Sequence, residues 1–245
     1  MNFVDSMIKP LLRQNGLWIV KRNGHVTGVD FIGDLQALVP CPTTLLDVGA
    51  NIGQSIEFFA GLWPSLRIFS VEPDPINFQT IRSIKHKNMA GLVNVGFGET
   101  DSVLDFHQFE MHSLNSLLDP STIDSSPLKH QPKGPPIQVN VVKPTSEYLH
   151  SVFGTAQMDI IKIDTQGYEL PILRGFDKEV LISAKVLILE ANYDSLYDGQ
   201  TSVADLHTFC SNLGFGYVSS YEITRNASGG ISWATCVYVN KTVTR

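Results

Sequence analysis

The chain has 245 residues, a formal net charge of −6, and an apolar content of 43% with only 17% charged residues, which suits one large globular α/β domain or a domain with elaborations. The acidic balance argues against a nucleic-acid backbone as partner, because that needs a basic face. Cys41, Cys210 and Cys236 show no CxxC or histidine spacing for zinc, so no metal site is expected and a reduced, cytoplasmic protein is. Nothing from Met1 to Pro10 looks like a signal peptide, and no apolar run reaches spanning length, so no stable membrane insertion is expected. The sequence carries no signal for an oligomeric state.

Residues 1–40 read as an N-terminal extension to a main domain over 41–245. Within the extension, Phe3 to Arg13 has the pattern of a short amphipathic helix. Leu17 to Val20 and His25 to Thr27 suggest a strand pair turning at Asn23-Gly24, and Asp34 to Val39 a helical turn. His25 is read as a hairpin residue.

The informative stretch begins at Thr44. Thr44 to Val48 is an apolar run fit for a buried strand, and it leads into Gly49-Ala50-Asn51-Ile52-Gly53. Beyond Gly53 the apolar residues Ile56, Phe58, Phe59, Leu62 and Trp63 fall on one helical face. Strand, glycine turn and helix open a nucleotide-binding α/β unit, with the glycines expected to let a ligand approach the backbone. A dinucleotide fingerprint would need a glycine where Asn51 stands, so a nicotinamide-dependent oxidoreductase is disfavoured. Asp47 would repel a phosphate and attract a cation. S-adenosylmethionine has no phosphate and carries an ammonium and a sulfonium. A second apolar strand, Leu66 to Val71, ends in Glu72, about 20 residues past the turn, where a carboxylate binds two ribose hydroxyls.

Pro75 then opens a helix to about His86, and Leu92 to Gly96 is a third strand. Glu99, in the loop beyond, is a candidate acceptor for an adenine amine, with a plain surface acid as the alternative. Val103 to Phe109 alternates like an antiparallel strand, with Ile137 to Val142 as its partner, making 103–143 a β insertion or lid. The Ser-, Pro- and His-rich segment from Met111 to Pro136 is a natural place for substrate choice, with His112 and His130 as candidate bases.

The second informative stretch is Met158 to Glu169. Its strand, Ile160 to Ile163, ends in Asp164, and a loop through Gly167 leads to Glu169 at a helix start. Ligands in open parallel sheets bind beyond the carboxyl ends of the strands, so Asp164 and Glu169 should face the crevice of Gly49 and Glu72. They could orient a hydroxyl, take its proton, or hold the cofactor's ammonium. A fifth strand, Val186 to Leu189, ends in Glu190, placed to line the far side. Val203 to Leu213 reads as a helix, and Tyr217 to Tyr221 and Thr235 to Val239 as an antiparallel edge pair.

Asp47-Val48-Gly49-Ala50-Asn51-Ile52-Gly53, Val71-Glu72-Pro73, Ile161 to Glu169 with Leu173-Arg174-Gly175, and Leu189-Glu190 resemble the FkbM-type S-adenosylmethionine-dependent methyltransferases. The resemblance implies a Rossmann-like class I methyltransferase α/β fold: a mostly parallel seven-stranded sheet with an antiparallel last strand. It implies O-methylation of a hydroxyl on a sugar, glycan or natural product. It places Asp47, Gly49, Ala50, Asn51, Gly53 and Glu72 at the cofactor, and Asp164 and Glu169 in the active site. Many members carry Glu where Gln166 stands; Gln166 is read as structural. The competing expectation is a non-catalytic cofactor-binding or regulatory protein on the same fold.

Overall fold

A computed structural model describes residues 26–122 and 132–242. The expected helix over 3–13, His25 and His130 lie outside the described residues, as does most of the predicted first strand pair.

The main sheet has seven strands. The parallel core is β1 (Thr44–Val48), β2 (Arg67–Val71), β3 (Met89–Val93), β7 (Ile160–Ile163) and β8 (Val186–Asn192); β9 (Phe215–Arg225) and β10 (Ile231–Asn240) complete it. The spatial order is β3-β2-β1-β7-β8-β10-β9. β10 runs antiparallel to both β8 and β9, and every other adjacent pair is parallel. This is the fold expected from the resemblance, with its reversed last strand. The strand order turns outward between β1 and β7, so a crevice opens there, beyond the carboxyl ends of the strands.

Helices cover both faces. On one face lie α1 (Phe31–Leu38), α2 (Gln54–Leu62) and α3 (Pro75–Ile84), closing on Leu45, Ile68, Ile160, Ile188 and Val237. On the other, α4 (Ser146–Phe153), α5 (Glu169–Gly175), α6 (Lys178–Ser183) and α7 (Val203–Asn212) cover Leu46, Phe69, Ile161, Leu187 and Cys236. Alternate residues of each strand supply the two cores, which is why the central strands read as unbroken apolar runs. Leu35 and Val39 are buried in the first core, so α1 belongs to it.

The local signals account for the helix starts. Asp74 accepts from Ile76 N–H with Pro75 at the first turn, Thr145 caps α4 and Ser202 caps α7. α3 ends one residue before Lys85, which adopts φ +49°, so His86 falls beyond the helix. The third strand begins earlier than its apolar pattern suggests, and Gly96–Phe97 forms a separate short strand, β4. β4 joins a small second sheet with β5 (Ser102–Phe106) and β6 (Ile137–Val142), in the order β4-β6-β5, with β5 and β6 antiparallel as the alternation predicts. This small sheet and a 3₁₀ turn at His112–Leu114 stand over the crevice.

Candidate active site

Three loops meet at the crevice, and backbone contacts fix their spacing. Gly49 and Ala50 N–H groups both donate to Val71 O, and Asp164 N–H donates to Val48 O, tying the ends of β1, β2 and β7 together. Gly49 adopts φ +82°, and a Cβ there would fall 2.0 Å from the Asp164 carbonyl oxygen. Gly53 adopts φ +93°, and its Cβ would lie 2.7 Å from Ile84 Cδ1. Both glycines therefore allow close packing of protein on protein, and Gly49 also lines the cavity described next.

A cavity of about 130 Å³ opens above the β1, β2 and β7 ends. Gly49, Asn51, Glu72, His112, Asp164, Gln166 and Glu190 all line it. Glu72 is 3% exposed, and both its oxygens are engaged: Asn51 N–H donates to Oε2 at 2.7 Å and Asp74 N–H to Oε1 at 2.9 Å. Burial pushes its carboxyl up to about 8 against the pull of those two N–H groups, and the charges of Asp74 and Asp47 add to the rise. Asn51 Oδ1 accepts from Asn77 Nδ2 at 3.2 Å and lies 2.8 Å from His112 Nδ1, so His112 sits at the Glu72 end of the cavity. Two side chains of the insertion, Gln108 and Asn115, donate to Asp74 Oδ2 and fasten it over this end.

The other end is built on Lys162. Its ammonium lies 3.1 Å from Asp47 Oδ1 and 3.4 Å from Asp164 Oδ2. Burial opposes the charge of Lys162, but the two carboxylates outweigh it and raise the ammonium above its usual range. Asp47 is completely buried, its Oδ2 has no partner among the described residues, and it does not line the cavity. Its place is beneath Lys162, where it holds the cation that the sequence reading assigned it to attract from a ligand. Burial also works against ionisation of Asp164, yet Lys162, Glu190 and Gln166 together hold it below the usual carboxylate range. Glu190 is driven the opposite way, by burial first and then by the charge of Asp164. The two acids are thus pushed in opposite directions and titrate as a pair. The Gln166 amide donates to Asp164 Oδ1 at 3.2 Å and to Glu190 Oε2, bridging the two acids. Gln166 is therefore a wall of the cavity as well as a structural residue.

Glu169 departs from expectation. It is 2% exposed and does not line the cavity. Its Oε1 accepts from Thr165 N–H, Thr165 Oγ1 and Gly167 N–H, folding the loop after β7 around itself. The loop engages one oxygen of this carboxylate, and Glu169 stands behind the cavity wall, not in it. Glu99 is exposed and outside the cavity lining, Ala50 is 1% exposed in the α1–α2 core, and Gly53 packs on α3. Of the residues expected at the cofactor, Gly49, Asn51 and Glu72 reach the cavity. Of those expected in catalysis, Asp164 and His112 do.

Sequence reasoning passed over Lys162 as a participant. A lysine in the otherwise apolar strand Ile160–Ile163 was a usable signal, because a buried cation needs buried anions. Asn77, Gln108 and Asn115 left no comparable mark. Among the described residues no group of three or more His, Cys, Asp or Glu is arranged to hold a metal ion, and no helix is long and apolar enough to cross a membrane.

The strand order, the reversed β10 and the crevice beyond β1 and β7 define a class I methyltransferase architecture. The cavity presents the buried carboxylate of Glu72 at one end, and among the described residues no lysine or arginine lines it. The chain belongs to the FkbM methyltransferase family, since residues 47–217 match the Methyltransferase FkbM domain. It is an S-adenosylmethionine-dependent methyltransferase. It is 26% identical over 199 residues to Methyltransferase 1 of Beauveria bassiana (strain ARSEF 2860), covering 76% of this chain and 78% of that one. Methyltransferase FkbM from Methylobacillus flagellatus KT shares the fold, with a TM-score of 0.51 and 19% identity over 80% of this chain; the match spans only 43% of that longer protein.

Proposed function

We propose that this enzyme methylates a hydroxyl oxygen of a sugar, glycan or natural product, with Asp164 as the base or hydroxyl-orienting group. Bound S-adenosylmethionine supplies a methyl already activated by its sulfonium. What remains for the protein is alignment, and relief of the proton that the attacking hydroxyl must lose. The observation that carries this reading is the place of Asp164: its side chain is 36% exposed at the cavity wall, with the Lys162 ammonium 3.4 Å away favouring its charged form. A carboxylate at the crevice, with the neighbouring Glu190 pushed in the opposite direction by burial, is the group placed to take the hydroxyl's proton.

Glu72 and Asn51 are assigned to the ribose. His112 is assigned to cover that end, because its bond to Asn51 draws it away from Asp164. Gln166 and Glu190 border Asp164 and are assigned to the acceptor side.

The test is a methyl-transfer screen with labelled cofactor over sugars, glycolipids and hydroxylated natural products, followed by Asp164→Asn on the best acceptor. Turnover should fall by roughly 10²–10⁴, the usual size of a general-base contribution, with S-adenosylhomocysteine affinity little changed. Full turnover in that variant would remove Asp164 from the mechanism.

A further inference from the structure

Tyr197 is 2% exposed and lies outside the cavity lining, yet it stands where three segments meet. It belongs to the loop that follows β8. Its backbone pairs antiparallel with Pro120 of the insertion, and Asp198 N–H donates to Asp119 O. Its ring meets Phe109 of the insertion edge to face, with centroids 6.4 Å apart. Gln200 Oε1 accepts from the N–H groups of both Leu196 and Tyr197, which fixes the backbone that carries the ring. A ring alone could fill this place; the buried hydroxyl needs a partner of its own.

That hydroxyl reaches two acceptors. It lies 2.7 Å from Leu114 O, in the 3₁₀ turn of the insertion, and 3.3 Å from Gln166 Oε1, in the loop after β7. The other amide atom of Gln166 is already committed: Nε2 donates to Asp164 Oδ1 at 3.2 Å and to Glu190 Oε2. Only the NH₂ side of a carboxamide suits two carboxyl groups, so Oε1 must face away from them, toward Tyr197. Among the described residues the Tyr197 hydroxyl is the one donor to it. Gln166 is 8% exposed, so without that donor Oε1 would be left unpaired. The main chain of Gln166 is also held. It adopts φ +57°, and its carbonyl accepts from Ser116 Oγ of the insertion at 2.9 Å. Rotation of the amide is the freedom left for Tyr197 to remove.

We infer that Tyr197 is a positioning residue for methyl transfer, its hydroxyl setting the Gln166 amide so that Nε2 faces Asp164 and Glu190. The inference rests on the assignment of Asp164 as base or hydroxyl-orienting group. Tyr197 acts only through Gln166. An amide turned the other way would aim Oε1 at both acids, repel the anion of Asp164 and accept the proton of Glu190. The Glu190 carboxyl is faced by Lys162 of β7, by Asp164 and Gln166 in the loop after it, by Glu169 of α5 and by Tyr197. Burial raises Glu190 well above its ordinary value, so its titration can be followed in the folded protein and reports which side of the amide it meets.

Carbon-13 NMR of the Glu190 carboxyl, assigned with Glu190→Gln, tests this without an acceptor. Tyr197→Phe keeps the ring against Phe109 and removes only the hydroxyl, so the fold is kept. The released amide should raise the Glu190 midpoint by about one pH unit, a tenfold change in acidity and the size of one hydrogen bond to a charged group. In a Gln166→Met background Tyr197→Phe should add nothing, because the amide through which it acts is gone. With the best acceptor from the methyl-transfer screen, Tyr197→Phe should lower kcat about tenfold and leave the KM for S-adenosylmethionine unchanged. An unmoved midpoint or an unmoved kcat in Tyr197→Phe would overturn the inference. So would an equal rise of the midpoint in the Gln166→Met background, which would mean a general loosening of the loop. Full turnover in Asp164→Asn is a separate failure: it would remove the base, while a Glu190 midpoint that still follows Tyr197 would keep Tyr197 as the residue that sets the acid pair.

Discussion

Glu72 and Glu169 look alike in the sequence: each is an acid just past a buried strand, each is nearly inaccessible, and each accepts hydrogen bonds from its own loop. They differ in how the oxygens are spent. At Glu72 each oxygen takes one backbone N–H and the carboxylate remains in the cavity wall. At Glu169 three donors converge on Oε1, and the group is sealed beneath the loop it shapes. An acid at a strand's carboxyl end is thus available for a ligand only when the following loop leaves it a free lone pair facing the crevice.

Lys162 underlies this contrast, because it keeps the neighbouring acid Asp164 anionic while both glutamates are pushed up. Lys162→Met should leave the buried Asp47, with Asp164 beside it at the cavity wall, without a cation and cost about 3–5 kcal/mol of stability in chemical denaturation. A loss of under about 1 kcal/mol would mean that the buried carboxylates find protons instead.

Glu72→Gln comes next in size. A carboxamide supplies one acceptor where two N–H groups need two, so its NH₂ must face one of them. S-adenosylhomocysteine affinity should fall by about 1.5–3 kcal/mol in calorimetry, the worth of charge-assisted hydrogen bonds. Unchanged affinity would show that Glu72 is not the ribose acid.

A pH series sharpens the same point. Glu72 sits near 8 in the free protein, above its ordinary 4.5. The folded free protein therefore holds a proton that the unfolded chain has lost, and its stability declines as pH rises from about 4.5 to about 8. Two ribose hydroxyls donate best to the anion, so ligand affinity moves the other way. It should improve by about tenfold between pH 6.5 and 8 and flatten in Glu72→Gln. A flat profile in the parent would place the ribose elsewhere.

The smallest effect is expected at Glu169. Burial pushes it up to about 7, and its three donors all use one oxygen, which glutamine also has. Glu169→Gln should change stability by less than about 0.5 kcal/mol, whereas Glu169→Ala should lose about 1–3 kcal/mol with the loop's N–H groups left unpaired. A Glu169→Gln variant that folds normally but cannot transfer methyl would restore Glu169 to the chemistry.

The fold was legible because its signals are local. The apolar runs at Thr44, Leu66, Ile160 and Val186, the caps at Asp74 and Thr145, and the alternation after Ser102 each follow from a few neighbouring residues. The site was legible where an acid ends a strand and faces open space, as at Glu72, Asp164 and Glu190. It was not legible where the partner is distant in sequence. Asp47 lies 115 residues from the lysine that claims it. Glu99 is exposed in the loop after β4, outside the cavity lining, which fits the surface-acid alternative.

The contact between Gly49 and the Asp164 carbonyl has a consequence for anyone moving these parts between proteins. The first glycine turn is shaped to the loop after β7, so it is half of a fitted joint: a side chain at Gly49 would come within 2.0 Å of the Asp164 carbonyl oxygen. Grafted alone into another sheet it would lose the loop it fits; the two loops, though more than a hundred residues apart in the chain, are one transplantable part.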